Sequence, residues 1–246
     1  MTQLYGIIGN PLSHTFSPGY FTAKFQRENI PAHYKMFPLP ELSDFPALLA
    51  SNQFSGLNVT LPYKETIMPF LDEIDPVALE VGAINTIRFE GKKMTGYNTD
   101  VFGFEQSLLA FISDISKITG ALILGTGGAA KAVAHVLGKW NIPFLTVSTS
   151  GKGHLSYEKI DSNVLNTYHL LVNTTPLGMY PNTISCPSIP YTLVNENNFL
   201  YDLVYNPEKT LFLREGFKRG AKVKNGMEML LLQAEKAWQI WNHPVM

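Results

Sequence analysis

Residues 121–137 read ALILGTGGAAKAVAHVL: an apolar run, a glycine-rich turn and an amphipathic stretch in immediate succession. That order describes a buried strand feeding a helix through a turn that glycine closes most readily. Gly125, Gly127 and Ala130 fall at the spacing G-x-G-x-x-G/A, with Thr126, Gly128 and Ala129 between them. The spacing lets backbone approach a pyrophosphate resting on a helix N-terminus, where open N–H groups and the helix dipole favour an anion. A ligand-free βα turn could use similar residues. The strand before and the helix after favour the dinucleotide reading.

The rest of the chain alternates in the same way. Leu4–Gly9, AHYKMFPL and SGLNVTLP read as strands, with helices opening at Ser17-Pro18 (Ser17 as N-cap, Pro18 at N1) and over ELSDFPALLASN. INTIRF and KMTGYN flank Glu90-Gly91-Lys92 as a hairpin, and a helix from about Val101 to Ile112 bridges to the second half. There PFLTVSTS, HLLVNTTP and FLYDLVYN are strands, and LFLREGFKRG is a helix closed by Gly220. The closing helix, MEMLLLQAEKAWQIW, is apolar on two faces and is expected to pack on more than one neighbour, back onto the first half. The fold class is therefore α/β, with parallel sheets covered by helices and ligands beyond the carboxyl ends of the strands. With 246 residues, two domains fit, the boundary falling near residue 100.

Composition narrows the function classes. Hydrophobic residues make up 45% and charged ones 16% of the chain, enough apolar material for substantial cores. A net charge of −1 gives no basic footprint for nucleic acid or an anionic membrane. Cys186 is the only cysteine, and the six histidines show no HxxH or HxxxH pair, so neither a disulfide nor a metal site is expected. No signal peptide and no membrane-length apolar run is seen, so a soluble, cytoplasmic protein is expected.

The strand after the glycine turn indicates which nucleotide is held. An acid there would bind the ribose hydroxyls of NAD or S-adenosylmethionine. TVSTSGKGH has none: Ser148, Thr149, Ser150, Lys152 and His154 offer hydroxyls and a cation that suit a 2′-phosphate. NADP is favoured, the alternative being a solvated Ser/Gly loop. In the first half, polar residues collect just after strands. Asn58 and Thr60 share one side of NVTLPYK and Lys64 follows; Asn85 and Thr86 lie in AINT; Asn98, Thr99 and Asp100 lie at the junction. Thr15 and Ser17, near a helix start, suit a carboxylate. Singly each could be a cap, a turn residue or a solvated side chain. Together they suit a small polyhydroxylated acid.

GNPLSHTFSP, NVTLPYKE, GAINTI, GYNTD, ILGTGGAAKAV, VNTTPLGM, YDLVYNP and NGMEMLLLQA together resemble the shikimate dehydrogenase family, in order and along essentially the whole chain. The resemblance implies a substrate-binding catalytic domain over 1–100, an NADP-binding Rossmann domain over 101–226, and a last helix over about 227–246 that returns to the first. It implies reversible NADPH-dependent reduction of 3-dehydroshikimate to shikimate in aromatic amino-acid biosynthesis, the chorismate pathway. By resemblance Lys64 and Asp100 are the catalytic pair. Thr15, Ser17 and Tyr205 hold the substrate carboxylate, while Asn58, Thr60, Asn85 and Gln233 hold its ring hydroxyls. Gly125, Thr126, Gly127, Gly128, Ala129, Thr149, Lys152, Asn173, Thr174 and Gly226 bind NADP.

Two positions depart from the family pattern. Thr15 stands where serine is common. Thr149-Ser150-Gly151 replaces an Asn-Arg-Thr whose arginine grips the 2′-phosphate, leaving Lys152 as its substitute. The alternatives are a quinate/shikimate dehydrogenase with relaxed NAD/NADP use and a non-catalytic nucleotide-sensing paralogue. The presence of both Lys64 and Asp100 weighs against the sensor. A monomer or homodimer is expected, with no nucleic-acid or membrane partner.

Overall fold

The first apolar run forms β1 (Gln3–Gly9), with a parallel neighbour on each side, β2 (Ala32–Pro38) and β3 (Gly56–Val59). The computed structural model describes residues 2–12 and 15–242, so residues 243–246 of the expected last helix lie outside the described residues. β5 (Thr86–Glu90) and β6 (Lys93–Tyr97) form the expected hairpin, turning at Gly91, whose φ is +63°. β4 (Glu73–Ile74) lies parallel to β6, giving the order β2-β1-β3-β5-β6-β4. With that hairpin in it, this first sheet is mixed rather than all-parallel. β5 runs antiparallel to both β3 and β6; its pairing with β6 follows from the two-residue hairpin loop, which cannot join parallel strands.

The chain divides into two units, Met1–Thr99 with Ala234–Met246, and Asp100–Gln233. In the first, alternation along β1 sends Tyr5 and Ile7 to one face and Ile8 to the other. Tyr5 and Ile7 pack with Phe21 and Phe25 of α1 (Ser17–Arg27) and with Ala234, Ala237 and Trp241 of α8 (Met227–Asn242). Ile8 packs with Leu57, Val59 and Ile87, and with Phe45 of α2 (Phe45–Ser51) and Ala78 of α3 (Pro76–Val81). The N-terminus of α1 is one residue earlier than expected. Phe16 is the cap, without a side-chain bond, and Ser17 is the first helical residue. A cap side chain turns back to its own helix; that of Ser17 makes no such bond and is buried.

In the second unit, β7 (Ala121–Leu124), β8 (Phe144–Val147), β9 (Leu170–Asn173), β10 (Phe199–Asp202) and β11 (Lys222–Lys224) form one parallel sheet in the order β11-β10-β9-β7-β8. The chain leaves β7 to one side for β8 and returns to its other side for β9. The carboxyl end of β7 is thus the switch point where α/β sheets open to ligands. Leu122 and Leu124 pack on one face with Leu171, Leu200 and Phe212, the last from α7 (Leu211–Phe217). Phe104 and Phe111 of α4 (Thr99–Phe111) set their rings edge-on to Tyr201, at 5.3 and 6.1 Å between centroids. α5 (Gly128–Lys139) follows β7, and α6 (Ser162–Thr167) is capped by Asp161. Among the described residues, no helix is long and apolar enough to cross a membrane.

Candidate active site

Strand register in the first unit gathers most of the expected substrate residues, Tyr205 and Gln233 belonging to the second unit. Ile8 near the end of β1 pairs with Val59, Asn58 pairs with Thr86, and Thr86 pairs with Tyr97. The segments that follow β1, β3 and β6 and the one that precedes β5 therefore leave the same edge of the sheet. The antiparallel hairpin makes this possible, because it returns Asn98 and Thr99 to the edge from which Asn85 set out. Thr15, Ser17, Asn58, Thr60, Lys64 and Asn85 all belong to this edge.

Hydrogen bonds make it rigid. The backbone carbonyl of Lys64 accepts from Ile84 N at 2.6 Å, and the Asn98 amide donates to Ala83 O at 2.8 Å. Asn85 Oδ1 accepts from Thr99 N at 2.8 Å and Thr86 Oγ1 at 3.0 Å, while Asn85 Nδ2 donates to Thr99 Oγ1 at 3.0 Å. Lys64 on one side and Thr99, the residue before Asp100, on the other are thus fixed to the same Ala83–Asn85 segment. Asn58 Nδ2 donates to Asn85 O and Thr86 Oγ1 at 3.1 and 3.3 Å, and Asn58 Oδ1 accepts from the Tyr34 phenol at 2.7 Å. Thr15 is half-buried, its hydroxyl donating to Leu12 O at 3.3 Å.

In the second unit the expected nucleotide residues lie at the carboxyl ends of the strands. Gly125 has φ +120°, a region nearly closed to other residues, and a Cβ there would stand 2.5 Å from Thr174 Oγ1. A Cβ on Gly127 would meet no atom within 4 Å. Gly127 caps α5 without any side-chain bond, so nothing but backbone presents the helix N-terminus. A narrow turn beside open space at an uncapped 12-residue helix fits a pyrophosphate group. Thr149 and Lys152 are exposed after β8, where Ser148 and Ser150 bond to one another at 2.8 Å and His154 folds back onto Thr146.

Three of the expected nucleotide residues bind this edge together internally. Thr174 Oγ1 donates to Leu124 O at 2.8 Å, tying β9 to β7 at the glycine turn. Asn173 is fully buried, donating to Asp202 Oδ1 at 2.9 Å and accepting from Thr175 N and Oγ1. Gly226 lies so close to the strand-β10 loop that a Cβ would collide with Leu203 O. Tyr205 follows β10, half-buried, with burial raising its phenol pKa. Gln233 is buried in α8, donating to Leu230 O at 3.0 Å.

A family model described as "Shikimate dehydrogenase substrate binding domain" matches residues 7–87, the stretch that carries most of the first edge. A shikimate dehydrogenase (NADP(+)) of Carboxydothermus hydrogenoformans is 38% identical over 259 residues, covering 98% of this chain and 91% of that protein. The chain belongs to the shikimate dehydrogenase family. A shikimate 5-dehydrogenase of Thermus thermophilus, solved with NADP(H) and shikimate, aligns at TM-score 0.85 and 30% identity, covering 98% of this chain and 93% of that one. A quinate dehydrogenase of Corynebacterium glutamicum, solved with NAD, aligns at TM-score 0.86 over 98% of this chain and 94% of that one; at 24% identity it is a likeness of fold alone.

For a member of the shikimate dehydrogenase family, two buried side chains at these edges were unread in the sequence. Tyr34 is the one buried residue of β2, and Asp202 ends an apolar strand with a fully buried carboxyl. The signals were there: one inward position on an edge strand, and an acid directly after FLY. Neither reveals its partners, which lie far along the chain.

Proposed function

We propose that this protein is an NADP-dependent shikimate dehydrogenase, reversibly reducing 3-dehydroshikimate to shikimate in aromatic amino-acid biosynthesis. The observation that carries the chemistry is the anchoring of Lys64 and of Thr99, next to Asp100, to one short segment. A pair that must meet the same substrate oxygen and its neighbour needs a common rigid support. The first unit is the substrate-binding and catalytic part, and the second holds the nucleotide.

NADPH, when bound, supplies the hydride. The ketone oxygen then gains negative charge and must receive a proton as it does so. The Lys64 ammonium neutralises that charge and donates the proton; in the oxidation direction it accepts it back. Asp100 orients the ammonium and accepts from the neighbouring ring hydroxyl. Thr15 and Ser17 donate to the substrate carboxylate, assisted by the Tyr205 phenol. Asn58, Thr60, Asn85 and Gln233 take the ring hydroxyls. Gly125, Thr126, Gly127, Gly128 and Ala129 cradle the pyrophosphate, and Thr149 and Lys152 meet the 2′-phosphate. Asn173, Thr174 and Gly226 serve the nucleotide by fixing the loops around it. The protein acts in the cytoplasm as a monomer or homodimer.

The run Thr149-Ser150-Gly151, without arginine, supports a second reading with relaxed NAD/NADP use. Lys64→Ala and Asp100→Asn test the chemistry in steady-state kinetics. Lys64→Ala should lower kcat by a factor on the order of 10²–10⁴ with KM for shikimate little changed. Asp100→Asn should damage both parameters, because it touches substrate and lysine together. Normal kcat in Lys64→Ala would leave that residue a binding group only.

A further inference from the structure

We propose that Gly103 is a positioning residue: lacking a side chain, it lets α4 lie against α8 closely enough to set the Gln233 amide at its ring-hydroxyl position. This rests on the assignment of Gln233 to the substrate. Gly103 is buried inside α4, and its backbone is outside the left-handed region that glycine alone enters readily. A glycine inside a helix weakens it relative to alanine, so its place there calls for a packing reason. A Cβ at 103 would stand 2.6 Å from Met229 O, 3.0 Å from Gln233 Cβ and 3.1 Å from Gln233 N. Met229 O and Gln233 N are four residues apart, the two ends of one helical rung. The glycine therefore faces backbone that no rotamer change can move aside.

Further contacts decide which helix must give. Ser107, about one turn after Gly103, donates to Glu228 Oε2 at 2.9 Å and accepts from the Tyr201 phenol at 2.8 Å. Gly103 meets Met229 and Gln233 while Ser107 meets Glu228, so the two helices run antiparallel and are pinned at the Glu228 end. At its other end α4 starts from Thr99, whose N–H donates to Asn85 Oδ1 and whose hydroxyl accepts from Asn85 Nδ2. With α4 held at Thr99 and at Ser107, a methyl at 103 displaces the turn of α8 from Met229 to Gln233. Asp100 stays with the held helix, and the Gln233 amide moves off its hydroxyl. The contact bears on substrate binding and leaves proton transfer at Lys64 alone.

The test is steady-state kinetics on the full-length protein, reading kcat and both KM values in Gly103→Ala, Gln233→Ala and the pair. Each single variant should raise KM for shikimate about fivefold, the size of one hydrogen bond, with KM for NADP unchanged and kcat within about twofold. In the Gln233→Ala background, Gly103→Ala should add less than about twofold, because the group it displaces is already gone. Glu228→Ala, at a half-exposed side chain, loosens the same helix pair without a clash. It should raise KM for shikimate about twofold, but not in the Gln233→Ala background, and it decides the matter if Gly103→Ala does not fold. Unchanged KM for shikimate in the deciding variant, or fully additive losses, would overturn the proposal. An equal rise in both KM values would show a loosened fold and would overturn it too. Normal KM for shikimate in Gln233→Ala would remove that assignment and the proposal with it, leaving the chemistry of Lys64 and Asp100 standing.

Discussion

Asp202 puts a carboxyl where no solvent reaches it. Burial raises its pKa from 3.8 to about 6, although Thr210 Oγ1, Val204 N and Asn173 Nδ2 all donate to it and pull the other way. Tyr191, the phenol within electrostatic reach, is itself pushed upward by burial and stays neutral. The folded protein therefore holds this proton more tightly than the unfolded chain. The stability so gained is complete below pH 3.8 and is lost as pH rises through about 6. The move is worth about 3 kcal/mol. Asp202→Asn has nothing to titrate, so unfolding in urea at about pH 4 and about pH 7 should show the wild type losing stability relative to the variant at the higher pH. Parallel behaviour at both would contradict the burial account. Single residues were the least legible scale in the sequence. Tyr34 was visible as one inward position on an edge strand, but its partner Asn58 lies on another strand, and no local pattern gives that pairing.

Elements were more legible where their causes are local. The strand, glycine turn and helix of 121–137 emerged as read, because period, turn chemistry and helix start are all written in one stretch. The β5–β6 hairpin followed from Gly91. α3 went unread, since six residues hold less than two turns of helical period; the signal was Asp75-Pro76, which caps it through bonds to Val77 N and Ala78 N. The glycine turn yields a prediction that separates support from binding. Gly125→Ala brings a Cβ to 2.5 Å from Thr174 Oγ1 at φ +120°, so it should cost about 1–3 kcal/mol and lower Tm as well as raise KM for NADP. Gly127→Ala meets open space, so Tm should fall less while KM for NADP still rises. Equal losses of Tm would leave Gly127 a structural residue only. In the loop after β8, the exposed Lys152 offers a point charge without a guanidinium fork. Its contact should be worth about 1 kcal/mol, so Lys152→Ala should reduce the kcat/KM preference for NADP over NAD several-fold at most. An NAD preference in the wild type would sink this assignment of the loop.

At the scale of the molecule, the α/β class was legible from the alternation of periods and the hairpin from its turn, whereas the antiparallel pairing of β3 with β5 was not. Parallel or antiparallel pairing of β3 with β5 depends on what separates them, and the separating segment contained the unread α3 and β4. That antiparallel step has a functional consequence: it places the residues before β5 and after β6 at the edge that also carries Asn58 and Lys64. The fold thereby gathers, on one rigid support, groups that about 40 residues of chain would otherwise scatter. The most direct measurement of the whole account is the absorbance of reduced cofactor when the purified protein is given shikimate with NADP, and separately with NAD or with quinate. The account predicts turnover of shikimate with NADP, at a kcat/KM at least equal to that with NAD. No turnover of shikimate with either cofactor would contradict it and leave a nucleotide-binding protein without the chemistry of Lys64.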